Sequence, residues 1–370
     1  MRMKFKTISC IFLSLVFLLG IFTPTVSARA PQPGALKCRE DGSFTILQFT
    51  DTQDTHLPSP NMISLLQKAM DEVKPDLVVF TGDQLKNYDS DFKYGGHDWK
   101  SRKALTAIIK PVVLRGIPFA VAFGNHDSLL DYSLEEQVRF LQKFPGCLVI
   151  DEGPDVSGCG NYNLPVLNSA GEGFALNLYF LDSNQSLVLP DQIEYYRQMS
   201  DALKTQNGGV SVPSIEFQHI VPHSDDLIDA FAEQGDVFAS FFGHNHYRSD
   251  SFTEQGIEFF FTPTAGFYEF GPDRERGARV IKYNENAPRT VETYVLTFND
   301  LFDDNPITDC RYMLFTIGEM DGDPWPVVVK VVTTVAKAFF YFQEATCGRP
   351  IAALAELMQF FGFDIGLFNQ

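Results

Sequence analysis

Nine residues in five short clusters have the types and spacing to hold metal ions and to move a proton: Asp51 with Gln53, Asp83, Asn125 with His126 and Asp127, His219, and His244 with His246. Carboxylate, amide oxygen and imidazole are hard-to-borderline donors that suit Mn, Fe or Zn, and the absence of a thiolate argues against a soft site. Taken singly, each has an ordinary structural explanation. A Gly-Asp pair makes a turn, an Asn-His pair sits in a loop, His219 is a satisfied core histidine, and His244 and His246 are a hydrogen-bonded surface pair. Their order along the chain, and the strand ends at which they fall, give the set its weight.

The early clusters each terminate an apolar run. Residues 44–49 read as a strand running into Thr50-Asp51, residues 77–80 end at Gly82-Asp83, and residues 119–123 end at Gly124-Asn125-His126-Asp127. Residues 61–73, with Asn61 as the candidate N-cap, and residues 101–115 have helical apolar spacing. Strand–helix–strand–helix–strand at this spacing predicts parallel pairing with helices outside. Ligands of parallel sheets bind beyond the carboxyl ends of the strands, so the three clusters converge on one crevice. Glycine before Asp83, Asn125 and His244 permits the tight turns that aim the next side chain inward. Further on, strands are expected at 175–181, 214–221 and 237–242, with a helix at 190–204. Successive antiparallel strands are expected at 257–262, 279–283 and 290–297. Residues 327–342 and 351–361 read as helices with few charges. Lys330 and Lys337 interrupt the first, which favours docking on the domain, or a dimer contact, over a membrane span.

The 370 residues are 45% apolar and include 35 Phe, ample for a large core. A formal net charge of −18 argues against a nucleic-acid binder held by a broad basic surface. It also repels phosphorylated substrates at long range, so bound cations must supply the local attraction for such a substrate. At the N-terminus, Arg2, Lys4 and Lys6 precede an apolar run over 11–22, a break at Thr23-Pro24-Thr25, and small residues at Val26-Ser27-Ala28. This is the pattern of an export signal cleaved near Ala28. The run falls short of the ~20 residues that a transmembrane anchor needs. Cys38, Cys147, Cys159, Cys310 and Cys347 then remain, an odd number. Cys147 and Cys159 flank a Gly/Pro/Asp-rich stretch and read equally well as a loop-stapling disulfide or as free thiols.

The order Asp, Gly-Asp, Gly-Asn-His-Asp, His, Gly-His-x-His resembles the calcineurin-like metallophosphoesterase superfamily. The stretch from Thr264-Ala265-Gly266-Phe267 through Arg276-Gly277-Ala278-Arg279-Val280-Ile281 further resembles its class III purple acid phosphatase-like (Dcr2-like) branch. The resemblance spans residues 44–296. It implies a four-layer α/β metallophosphoesterase fold, with two facing mixed sheets flanked by helices, over residues 44–298. Residues 1–28 would be the signal peptide, 29–43 a linker, and 299–370 a C-terminal helical extension. It also implies two divalent or mixed-valence metal ions bridged by Asp83, one taking Asp51, Gln53 and His246, the other Asn125, His219 and His244. His126 would protonate the leaving-group oxygen, and Asp127 would orient its imidazole.

Two departures from the family pattern matter. Gln53 stands where a histidine is usual; its amide oxygen can still ligate a hard cation, so the first metal site is expected to be looser or differently selective, with Asp54 or His56 as alternatives to Gln53. Lys86 stands where purple acid phosphatases carry tyrosine, and Tyr88 comes two positions too late, so no tyrosinate–iron colour is expected. The implied activity is hydrolysis of a phosphate ester, monoester ahead of diester, by an exported enzyme. A phosphodiesterase or nucleotidase is the alternative within the class. A non-catalytic exported metal binder is the alternative outside it. Arg248, just after the last histidine motif, reads as a phosphate contact or, more simply, as a solvated surface arginine.

Overall fold

The computed structural model describes residues 36–88, 92, 98–151, 156–222 and 225–316. The expected export signal, His97, His223, Cys347 and the helices expected over 327–342 and 351–361 lie outside these residues.

Three almost fully buried runs form parallel strands: β1 (Ser43–Phe49), β2 (Leu77–Thr81) and β3 (Phe119–Ala122). A largely apolar run suits a strand covered on both faces, and the polar Gln48 of β1 is accommodated by donating to Thr81 Oγ1 of β2. Helices α1 (Pro60–Val73) and α2 (Asp98–Leu114) make the crossovers, as their spacing predicts. The cap of α1 is Ser59, whose hydroxyl accepts the Met62 N–H, and not Asn61. Asn61 is buried instead, and donates to backbone carbonyls near the end of the described chain.

Residues 277–297 join this sheet as β10 (Gly277–Asn284) and β11 (Val291–Thr297), giving the order β11-β10-β1-β2-β3. The second sheet has the order β4-β5-β6-β7-β9-β8. It comprises β4 (Tyr162–Leu167), β5 (Phe174–Phe180), β6 (Ser214–Phe217), β7 (Val237–Phe242), β8 (Ser251–Glu254) and β9 (Ile257–Phe261). The expected antiparallel run over 257–297 is therefore corrected. β9 pairs parallel to β7 in the second sheet, while β10 crosses to the first and pairs antiparallel to β1 and β11. Strands β4 and β8 and helices α3 (Leu134–Leu141) and α5 (Asp225–Gln234) had no counterpart in the sequence reading. Helix α4 (Pro190–Gln206) did.

The many phenylalanines have a definite job. Tyr162, Phe180, Phe217, Phe241 and Phe260 stack one on the next across β4, β5, β6, β7 and β9, with ring centroids 4.6–5.7 Å apart. Such cross-strand pairs pin register, because a one-residue slip would turn every ring to the opposite face. The ladder lies on the inner face and shares one core with the first sheet. The Tyr162 hydroxyl crosses between the sheets to bond the N–H and carbonyl of Val121. The outer face of the second sheet buries Tyr179, Leu181 and Phe242 against Ile193 and Tyr196 of α4 and Leu227 and Phe231 of α5.

Register decides where the chemistry collects. Phe49 pairs with Phe80 and Thr81 with Ala122, so the chain leaves β1, β2 and β3 at one level. Phe217 pairs with Phe241, which puts the exits of β6 and β7 at one level too. The segment α6 (Phe298–Leu301) and helix α7 (Pro306–Leu314) follow. Tyr312 of α7 packs edge-on to Phe267 and Phe298. None of the described helices is long and apolar enough to cross a membrane.

Candidate metal centre

Asp51 and Gln53 leave β1, Asp83 leaves β2, Asn125 and His126 leave β3, His219 follows β6, and His244 and His246 follow β7. The turns that bring them together are strained. Asp51, Gln53, Asp83 and His244 all have positive φ, at 50°, 34°, 54° and 64°. A non-glycine residue in this region costs of order 1–2 kcal/mol. Four such residues around one point mark a place where geometry is imposed by the surrounding structure. The preceding glycines are required by space as well as by turn. A Cβ on Gly124 would stand 2.2 Å from Asp83 Oδ1, and one on Gly243 would stand 2.5 Å from Asp51 Oδ2.

The site residues are largely sequestered. Asp51, Gln53, Asp83, His219 and His246 are buried, Asn125 and His126 are half-buried, and His244 is exposed. His219 Nε2 lies 3.1 Å from Asp83 Oδ2 and 3.9 Å from Asp51 Oδ1, and His246 Nε2 lies 3.2 Å from Asp51 Oδ1. Asp83, His219 and His244 present ligand atoms within 4.8 Å of one another. Two backbone carbonyls set the imidazoles. His219 Nδ1 donates to Thr81 O at 2.7 Å, and His246 Nδ1 donates to Phe270 O at 2.8 Å. A carbonyl only accepts, so Nδ1 carries a proton in both charge states, and in the neutral ring Nε2 turns its lone pair to the centre.

Eleven buried side-chain nitrogen and oxygen atoms among the described residues have no hydrogen-bond partner, and four of them, Asp51 Oδ1, Gln53 Oε1, Asn125 Oδ1 and His219 Nε2, lie on these strand-end turns. These four belong to residues expected to ligate metal, while the other seven, Gln137 Oε1 and Glu216 Oε1 among them, do not. An unpaired buried polar atom costs about 1–3 kcal/mol; Gln53 Oε1 and Asn125 Oδ1 are wholly unpaired, while Asp51 Oδ1 and His219 Nε2 have only the facing ionisable groups of His246 and Asp83, an arrangement that bound cations would satisfy. The electrostatics ask for the same thing. Burial disfavours a charged His219, yet Asp83 and Asp51 hold its imidazolium well above the ordinary histidine range. Burial likewise opposes, and Asp51 favours, protonated His246. A proton on imidazole is the stand-in cation of a site built for positive charge. The carboxylate, amide and imidazole donors, with Asp83, His219 and His244 the group whose ligand atoms lie together, are of a kind that suits divalent ions such as Mn, Fe or Zn.

One expected role is overturned. Asp127 does not meet the His126 ring. Its carboxylate accepts the backbone N–H groups of Asp83 at 2.7 Å, Gln84 at 2.9 Å and Gly124 at 3.0 Å, binding the two ligand loops together. Burial and the nearby Asp83 charge push its pKa up to about 7, against the pull of these amides. The imidazole partner is Asn87, with His126 Nδ1 2.5 Å from its Oδ1.

Asp54 does not replace Gln53, because its carboxylate is spent on the N–H groups of Thr55 and Ser59 at the start of α1. His56 packs edge-on to Trp99. Lys86 reaches away to Glu269 Oε2 at 3.3 Å and the Tyr268 carbonyl. Arg248 is paired to Asp250 and lies 3.5 Å from the centroid of the Phe261 ring, consistent with a surface residue. Cys38, Cys147 and Cys159 are free thiols, so no disulfide joins the last two. Sequence reasoning missed Asn87 and the carbonyls of Thr81 and Phe270. Nothing in a polar residue or a backbone carbonyl announces the ring it will meet.

The family model for calcineurin-like phosphoesterase matches residues 44–248. A protein of Arabidopsis thaliana named probable inactive purple acid phosphatase 14 is 25% identical over 338 residues, 73% of this chain and 82% of that one. The phosphatase DCR2 of Saccharomyces cerevisiae is 30% identical over 185 residues, 43% of this chain and 30% of its own. Among solved structures, a dimetal phosphatase from Danio rerio is similar at 12% identity, over 69% of this chain and 99% of that one, with a TM-score of 0.46.

Proposed function

The chain belongs to the calcineurin-like phosphoesterase family, and on that premise we propose that it is an exported hydrolase of phosphate esters, with monoesters ahead of diesters. The observation that carries this reading is the gathering of ligand-type side chains around Asp83, whose Oδ2 lies 3.1 Å from His219 Nε2, 3.3 Å from Gln53 Nε2 and 3.9 Å from His126 Nε2, with Gln53 Oε1 and Asn125 Oδ1 buried and unpaired. The basic, apolar and small-residue pattern of residues 1–28 supports export. The likeness of residues 264–281 to the purple acid phosphatase-like branch supports the lean toward monoesters.

Asp51, Gln53, Asp83 and His246 would hold one ion, and Asp83, Asn125, His219 and His244 the other. Such ions, when bound, supply a water of lowered pKa and neutralise the phosphoryl charge that the chain's net charge of −18 would otherwise repel. The protein's own work is positional. Thr81 O and Phe270 O fix the ligand tautomers, and Asp127 fixes the spacing of the Asp83 and Asn125 loops. His126, 29% exposed with Nε2 3.9 Å from Asp83 Oδ2, is placed to give a proton to the departing oxygen.

A second reading, a non-catalytic metal binder that keeps the scaffold, draws on Gln53 and on the word inactive in the name of the Arabidopsis relative. A set imidazole beside the centre favours the enzyme, since a metal store has no use for a leaving-group acid. The deciding assay offers p-nitrophenyl phosphate and its bis-ester with Mn or Zn, with ion content measured by elemental analysis. No turnover of either ester at full occupancy would sink the enzyme reading.

A further inference from the structure

We propose that Asn87 is the positioning residue for His126, holding its imidazole in the Nδ1-protonated form so that Nε2 faces the reacting phosphate; this rests on the hydrolytic reading above. The carboxylate next in sequence to His126 is unavailable, because Asp127 is committed to three backbone amides. The contact that remains is the 2.5 Å approach of His126 Nδ1 to Asn87 Oδ1. An amide oxygen accepts and does not donate, so the shared proton belongs to Nδ1.

The loop carrying Asn87 is braced for this task. Lys86 ties it to the 268–269 segment through the Tyr268 carbonyl and through Glu269 at 3.3 Å. The Lys86 ammonium lies 5.1 Å from the centroid of the Tyr88 ring, and that ring meets the His126 imidazole edge-on at 5.4 Å. Three consecutive residues thus anchor the loop, orient the imidazole and wall one side of it. The position where a purple acid phosphatase would carry tyrosine serves here as the anchor.

The step it supports balances simply. Water forms the new P–O bond and loses a proton to solvent. The P–O bond to the leaving group breaks with its electron pair going to that oxygen, which takes a proton from His126 Nε2. The ring is left neutral with its remaining proton on Nδ1, held by Asn87.

The test uses the full chain loaded with diamagnetic Zn or Mg, and reads the His126 ring nitrogens by long-range 15N–1H correlation, assigned with His126→Gln. We expect Nδ1–H in the native protein and a mixed tautomer in Asn87→Ala. Protonation confined to Nε2 in the native protein would overturn the proposal, since it requires the opposite orientation of the Asn87 amide. Kinetics give the second readout. Asn87→Ala should lower kcat for an alkyl phosphate roughly tenfold or more while changing that for p-nitrophenyl phosphate less than about threefold, since general acid catalysis matters most for a poor leaving group. Asn87→Asp, which keeps an acceptor oxygen, should recover most of the loss. An equal fall for both esters would mean structural damage and would reject the role. If native protein turned over neither ester, the hydrolytic reading would fail on that result, while the ring tautomer would still decide what Asn87 does.

Discussion

The Asp127 carboxylate accepts the Asp83 backbone N–H at 2.7 Å, so the loop that carries Asp83 is held by the loop that carries His126. The same carboxylate also takes the N–H groups of Gln84 and Gly124. Asp127→Ala would leave three amides without their acceptor, at about 1–3 kcal/mol for each that stays buried. We expect a loss of at least about 3 kcal/mol, read as a lower denaturant midpoint in metal-free protein. His126→Ala should cost less than about 1 kcal/mol and keep metal content, because that half-exposed ring supports no other element. Equal destabilisation by the two changes would put Asp127 back beside the imidazole.

Space around Asp83 gives a second test. A Cβ on Gly124 would stand 2.2 Å from Asp83 Oδ1 and 2.6 Å from its backbone nitrogen. The carboxylate must then move, so Gly124→Ala should strip metal while costing the fold about 1–3 kcal/mol. Gly116→Ala is the control. It has positive φ but open space around it, so it should cost about 1 kcal/mol of backbone strain and leave metal affinity as it was. Calorimetric titration with Mn separates the two cases. Retained affinity in Gly124→Ala would show that the centre does not need Asp83 where it stands.

Much of this centre was legible in the sequence, for a physical reason. Apolar runs that stop at polar clusters are how a buried parallel strand delivers a ligand, and runs such as Leu77-Val78-Val79-Phe80 could be placed from side-chain type alone. What stayed hidden depends on relations that one-letter patterns do not encode. Positive φ at Asp51, Gln53, Asp83 and His244 follows from how the turns pack, and nothing in those residue types demands it. The work of Thr81 and Phe270 is done by carbonyls that every residue has. The pairing of β9 with β7 instead of β10 depended on a long-range choice that local alternation leaves open. Asp127 was misassigned because adjacency in sequence was read as adjacency in space. Its side chain turns back under its own loop, while Asn87 arrives from β2.

Glu216 predicts a pH dependence of stability away from the ligands' own chemistry. It lies on β6, fully buried, with Ser240 as its partner, and burial raises its pKa from 4.5 to about 8. A raised folded-state pKa favours folding of the protonated form, fully below pH 4.5, and that contribution is lost as pH rises toward about 8. Glu216→Gln removes the titration. Its melting temperature should therefore fall less than the native protein's between pH 5 and pH 8, and the variant should be the more stable of the two at pH 8. Parallel melting curves across that range would show that Glu216 is not buried as a neutral acid.

Gln53 would make the two proposed metal positions unequal. Its Oε1 is buried without a partner, and its Nε2 lies 3.3 Å from Asp83 Oδ2. An amide oxygen is a neutral and weaker donor than imidazole, whereas the position served by Asn125, His219 and His244 is complete. Stepwise chelation should therefore release one ion well before the other, followed by elemental analysis and by melting temperature. An ion present at 100 times its Kd stabilises the fold by about 2.7 kcal/mol, so each release should appear as a distinct downward step. Gln53→His should bring the first step toward the second by tightening the weaker position. Gln53→Leu should abolish the weakly held ion and leave the other in place. If neither substitution moves the first step, the amide is not a ligand, and the Asp51 and His246 position closes in some other way.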